Sequence, residues 1–197
     1  MKQMILVTGL VLVVVCVVLV IYFHVPVTNH MDMEINYQLY DHESHMYEIA
    51  DLVVIGHVET SLKDDLALFE SLPGQDHWSF CSTLSPFYVD RVLRGSLDGD
   101  TLNLLQPAAI GKRPDGRPVK HLVEKYQELK KDDVYILYLQ KAASSYRERF
   151  GEDTYMPLSV YLGVVNLSEP QTDERMIKLR EEAIARFSVE IEEVIES

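Results

Sequence analysis

The longest feature in the hydrophobic pattern is Ile5 to Phe23, nineteen residues with no charge among them. At about 1.5 Å per residue, a helix of this length reaches roughly 28 Å, close to the thickness of a bilayer's hydrocarbon core. In lipid the backbone must satisfy its own hydrogen bonds, so a run this apolar forms a helix despite its many valines. The pattern then changes character. Thr28 to Tyr40 reads as a polar spacer and Asp41–Ala50 as a short helix. Leu52–Glu59 reads as a strand that begins buried on both faces and ends at a surface.

Farther along, Leu62, Leu66 and Phe69 recur at helical spacing ahead of Pro73-Gly74, which predicts a short amphipathic helix. Phe80 to Leu93 predicts a long strand. Phe87 and Val89 share a face that Val92 leaves, so one extra residue, a bulge, is expected near Asp90–Arg91. The Gly- and Asp-rich stretch 94–100 is a turn, and Thr101–Leu105 a third strand with Leu102 and Leu104 inward. Pro107 to Pro118 reads as a loop and His121 to Leu129 as a helical turn. Val134–Leu139, apolar on both faces, is a fourth strand; Ala142–Asp153 is polar hairpin material; Val160–Val165 is a fifth strand. A helix from about Asp173 to Glu196, capped by Thr172, closes the chain. The expected organisation is an anchor over 1–25, a juxtamembrane spacer over 26–40, a β-barrel domain over 41–170 and an amphipathic helix over 171–197. The class is mainly β, of α+β type.

Charge gives the apolar run a direction. Lys2 and the terminal amine flank one side, whereas the other has no Lys or Arg before Lys63. Positive flanks stay inside, so residues beyond about Pro26 face outward. A cleaved signal peptide would have a shorter apolar core and small residues at its end, but Tyr22-Phe23-His24-Val25-Pro26 follows here. Lipid attachment at Cys16 is disfavoured because Val13-Val14-Val15 precede it. Beyond the run lie 17 basic and 31 acidic residues, a formal charge of −14 that speaks against nucleic acid as a partner. Only Cys81 lies outside the apolar run, so the outer domain has no intrachain disulfide and must be held by packing. Asn166-Leu167-Ser168 forms a glycosylation sequon.

Ala50–Val58, Tyr88-Val89-Asp90-Arg91-Val92-Leu93-Arg94-Gly95-Ser96-Leu97, Gly99-Asp100-Thr101-Leu102 and Asp133–Leu139 occur in an order that resembles exported bacterial domains of the netrin-like, inhibitor-of-metalloproteinase type. The resemblance covers roughly 50–167 and implies an OB-like, five-stranded Greek-key barrel. The animal inhibitors of that class act through an N-terminal cysteine and are tied by disulfides. Neither is present here, so protease inhibition does not carry over. Loops on such a barrel are where binding is expected.

Among candidate sites, the stretch 111–121 gathers Lys112, Arg113, Arg117 and Lys120 in an otherwise acidic domain. Guanidinium and ammonium groups suit phosphate or carboxylate, so these four are the expected binding residues, facing a membrane or cell-wall partner. The alternative is a solvated loop paired with neighbouring acids. His42 and His45, three apart beside Asp41, Glu43 and Glu48, could supply two metal ligands where a structural zinc site wants four. Cys81, four residues after His77, reads better as a packed core residue than as a nucleophile. No metal, cofactor or catalytic set is therefore assigned. Ile177, Ile184 and Ile191, with Phe187 and Val194, form a seam interrupted by Arg180; it packs on the barrel or, alternatively, forms a homodimer through 173–195. The reading is a non-enzymatic binding or assembly module, held in the cell membrane by a single span with its C-terminal domain extracytoplasmic. The alternatives are an exported metal-binding hydrolase and an accessory subunit or sensor of a membrane complex.

Overall fold

Strand β2 (Leu52–His57) turns Leu52 and Val54 into one apolar cluster and Val53 and Ile55 into another, because successive side chains on a strand point to opposite faces. Strand β8 (Val134–Lys141) does the same with Tyr135, Leu137 and Leu139 against Ile136 and Tyr138. The two strands pair antiparallel and both are covered on each side, which explains their unbroken apolar sequence. The computed structural model that shows this describes residues 2–31, 40–70, 80–123 and 125–196, with backbone alone at 2–11, 24, 30 and 31.

In chain order the elements are helix α1 (Lys2–His24), strand β1 (Val27–Met31), helix α2 (Glu43–Ile49), β2, and strands β3 (Leu66–Glu70), β4 (Phe80–Arg94), β5 (Thr101–Gln106), β6 (Ala108–Lys112) and β7 (Pro118–Val123). Then follow β8, helix α3 (Ser144–Phe150), strands β9 (Thr154–Pro157) and β10 (Val164–Asn166), and helices α4 (Glu174–Arg186) and α5 (Ser188–Ile195). Neighbours run β8-β2-β4-β5-β9, and β9 pairs back onto β8, closing a five-stranded barrel. β5 and β9 are parallel and the other four pairings antiparallel, giving the OB-like Greek-key order. Phe87, Leu102, Leu104, Tyr135, Leu137 and Tyr155 fill the interior. Outside β2 and β8, helices α2, α4 and α5 supply Met46, Met176, Leu179, Ala183, Phe187 and Ile191 to a second cluster. The fold is α+β.

The expected bulge is present: Gly56 pairs with Val89 and Ile55 with Arg91, leaving Asp90 unmatched. A second slip leaves Leu93 unmatched, and Val92 stays on the surface. Gly56 lies opposite the bulge, where an added Cβ would stand 2.0 Å from the Tyr88 carbonyl oxygen.

Several expectations are corrected. The segment read as an amphipathic helix contains β3, an edge strand on β4, because Leu68 points inward and its neighbours do not. The loop 107–118 is a hairpin of β6 and β7, and His121–Val123 completes β7 instead of starting a helical turn. The polar stretch 142–153 holds α3. The barrel's fifth strand is β9, not 160–165, of which only Val164 and Val165 enter the short outer strand β10. The final helix is broken at Phe187, and its cap is Asp173, whose carboxylate accepts from the Arg175 and Met176 amides. Its buried face is Met176, Leu179, Ala183, Phe187 and Ile191; Ile177 is exposed, so the seven-residue isoleucine seam is off by one position at its start. The expected spacer begins with β1, which pairs parallel to β7; residues 32–39 lie outside the described residues. Among the described residues, which carry the side chains of α1 only over Leu12–Phe23, no helix is long and apolar enough to cross a membrane. Helix α1 has 23 residues, and its side chains are described from Leu12.

A candidate anion-binding hairpin

The four cations singled out by the sequence all lie on the β6–β7 hairpin. Its turn is built from Arg113-Pro114-Asp115-Gly116: the Gly116 amide donates to the Arg113 carbonyl at 2.9 Å, and the Arg113 amide to the Arg117 carbonyl at 2.9 Å. Gly116 has φ +82°, the left-handed conformation that closes a three-residue hairpin loop. Pro114 presets the first turn residue, and Pro118 is tolerated as the first residue of β7. The Pro-Asp-Gly signal was thus present in the sequence, but the two outer prolines made the region read as a loop.

The structure separates the four cations into distinct roles. Lys120 is paired with Glu128, both largely covered. The Arg117 Nε donates to Asp115 at 2.8 Å, and its guanidinium stands 4.3 Å from the ring centre of Tyr22 on α1. Backbone and side-chain hydrogen bonds from Arg117 hold the Asp115 carboxyl below its ordinary value. Lys112 and Arg113 are exposed and have no ion-pair partner among the described residues. Burial, with the Arg113 charge near by, pushes the His121 imidazole down, which favours its neutral form at neutral pH.

Helix α1 lies beside this hairpin. From Leu12 to Phe23 its large apolar side chains are 48–66% exposed. Only Val25 and Pro26 separate α1 from β1, whose register on β7 begins Val27↔Val119. The helix end and the hairpin turn therefore lie at the same end of the β1-β7-β6 sheet.

The other candidates are dispersed. His42 Nδ1 lies 3.2 Å from Glu182, while the His45 ring packs edge-on to Tyr40, so the two imidazoles do not converge. Among the described residues no group of three or more potential ligands is placed to hold a metal. Cys81 is fully buried, and burial pushes its thiol up to about 11, away from a reactive thiolate; His77 lies outside the described residues. Asn166 is 1% exposed and structural: its amide donates to Asp133 at 2.9 Å, and its oxygen accepts from the Ser168 and Glu169 amides.

One buried carboxylate has no signature in the sequence. Glu43, 2% exposed, accepts from the Tyr138 hydroxyl at 2.8 Å and from Arg186 Nε at 2.6 Å. The surface-looking Asp-His-Glu-Ser run hid it, since nothing local shows that Glu43 alone turns inward. Also unforeseen was the stacking of Lys125 on Tyr161, whose hydroxyl burial and Asp173 push up to about 12. No protein-family model matches this chain, and no curated protein or solved structure matches it either.

Proposed function

We propose that the chain is a membrane-anchored, extracytoplasmic binding or assembly module without catalytic activity, with α1 as its single span and the barrel outside. The observation that carries this reading is the apolar helix, exposed along Leu12–Phe23, joined through two residues to a strand of the domain itself. An exposed apolar surface of that extent needs cover, and lipid supplies it. The flanking charge, Lys2 on one side and none before Lys63 on the other, supports an outward barrel. The OB-like strand order is the one that the netrin-like resemblance implies, and that resemblance brings no activity with it.

The test has two arms on intact cells. A tag after Ser197 is expected to be cut by external protease, and cross-linking is expected to recover a membrane or wall neighbour. A protected tag would defeat the orientation. Absence of any cross-linked neighbour, together with no lipid or wall binding in vitro, would defeat the binding role.

A further inference from the structure

We infer that the turn of the β6–β7 hairpin is a headgroup-reading contact that binds the phosphodiester of anionic lipids in the leaflet facing the barrel. The inference rests on the anchored reading above and adds what the domain recognises there.

Three observations place the turn in the headgroup layer. Parallel pairing of β1 with β7 starts at Val27↔Val119, so the chain leaving α1 and the chain leaving the turn run side by side from the same end. The turn, 113–117, is therefore directed back toward the end of α1. The Arg117 guanidinium lies 4.3 Å from the Tyr22 ring, which sets the depth. Tyr22 is two residues before the end of α1, roughly 3 Å along its axis. Tyrosine and phenylalanine at 22 and 23 are suited to the membrane–water boundary, and a headgroup layer is only about 5–8 Å deep on each side.

The charge of the turn fits that position. Lys112, Arg113 and Arg117 against Asp115 leave a local formal charge of +2 in a domain that is otherwise strongly acidic. Asp115 is committed to Arg117, and Lys120 to Glu128, so Lys112 and Arg113 are the groups available for a phosphate oxygen. Salt screens the distant acidic surface within about 8–10 Å, whereas the cations act in contact. The local patch therefore prevails over the bulk repulsion that −14 charges would otherwise exert. The left-handed Gly116, its amide bond to the Arg113 carbonyl and the Arg113 amide bond to Arg117 fix the turn whatever residue stands at 114, so little order has to be imposed when it docks.

The test uses the full chain in vesicles, with Cys16→Ala and a dye on Pro114→Cys; the buried Cys81 thiol does not compete for label. Quenching by a headgroup nitroxide lipid is compared in phosphatidylcholine alone and with about one-third phosphatidylglycerol. Near-surface cations contribute about fivefold each. Lys112→Gln with Arg113→Gln is thus expected to lower the docked-to-undocked ratio about 25-fold in anionic vesicles. Raising salt to about 1 M should do much the same, and Lys178→Gln on α4 should change little. Equal quenching in both lipid compositions would overturn the binding of anionic headgroups, and none in either while the chain resists alkaline extraction would overturn the placement of the turn; both leave the anchor standing. A chain that alkali releases from the vesicles would overturn the anchored reading itself.

Discussion

Glu43 gives the sharpest stability prediction. It sits at the start of α2, inside the layer between that helix, α4 and the outer face of β8, and it is 2% exposed. One oxygen receives the Tyr138 hydroxyl at 2.8 Å and the other the Arg186 Nε at 2.6 Å; its own amide donates to Glu182 at 2.8 Å. The Arg186 guanidinium also stands 4.8 Å from the Tyr47 ring centre, so one charge pair gathers α2, α4 and the barrel. Burial, first, and then the Glu43 carboxylate push the Tyr138 hydroxyl far above its ordinary value, which keeps it a donor. Glu43→Ala removes both acceptors. Breaking a fully buried pair costs about 3–5 kcal/mol, but the Arg186 side chain is 38% exposed and can rehydrate, which lowers that share to about 1–2 kcal/mol. The Tyr138 hydroxyl, fully buried, loses its partner at about 1–2 kcal/mol. The total is about 3 kcal/mol, or roughly 6–12 °C in Tm for a domain of this size. Glu43→Gln keeps the shape and an acceptor and should cost about half as much. Tyr138→Phe combined with Glu43→Gln should show coupling of about 1 kcal/mol. Denaturant unfolding of the detergent-solubilised chain, followed by circular dichroism, measures all three. Glu43→Ala within about 0.5 kcal/mol of the parent, or Glu43→Gln costing more than Glu43→Ala, would show that the buried carboxylate does not hold these elements together.

Three further outcomes follow from the same structure. Gly56→Ala should cost about 3 kcal/mol or more, because the added carbon meets the Tyr88 backbone at the bulge and cannot be absorbed by a rotamer; Gly99→Ala, with open space but φ +106°, should cost about 1 kcal/mol by the same unfolding measurement. Cys81, fully buried and with its thiol pushed up to about 11, should react with an alkylating agent at pH 8 at least about 100-fold more slowly in the native than in the unfolded chain, read by mass. Asp173 has its folded pKa lowered, first by the Tyr161 hydroxyl, so its contribution is present above the unfolded value of about 3.9 and is lost as pH falls through the folded one; the stability gap between parent and Asp173→Asn should close below about pH 4.

The barrel was legible where burial is simple. β2 and β8 are apolar on both faces because helices cover their outer side, and β5 alternates because one of its faces fills the interior. The bulge at Asp90 was legible as a broken period of two. β9 was not: Thr154-Tyr155-Met156-Pro157 is four residues with a terminal proline, and only the closed barrel, by pairing it with both β5 and β8, makes it a strand. β3 was lost for a related reason, since Leu62, Leu66 and Phe69 match a helical period by spacing while Leu68 alone is buried in the pairing with β4. The cations at 112, 113, 117 and 120 were found by composition. Their division into two exposed and two engaged depends on Asp115, Glu128 and Tyr22, contacts that no local window contains. Glu43 shows the same limit, its partners being 95 and 143 residues away in sequence.

The anchored reading proposed above requires that α1 and the barrel remain one chain held in lipid. The most direct measurement is the intact mass of the protein recovered from membranes washed at alkaline pH. The expected species stays in the membrane pellet, with a mass that includes residues 2–26. A species beginning downstream of Pro26 and recovered in the wash would contradict it.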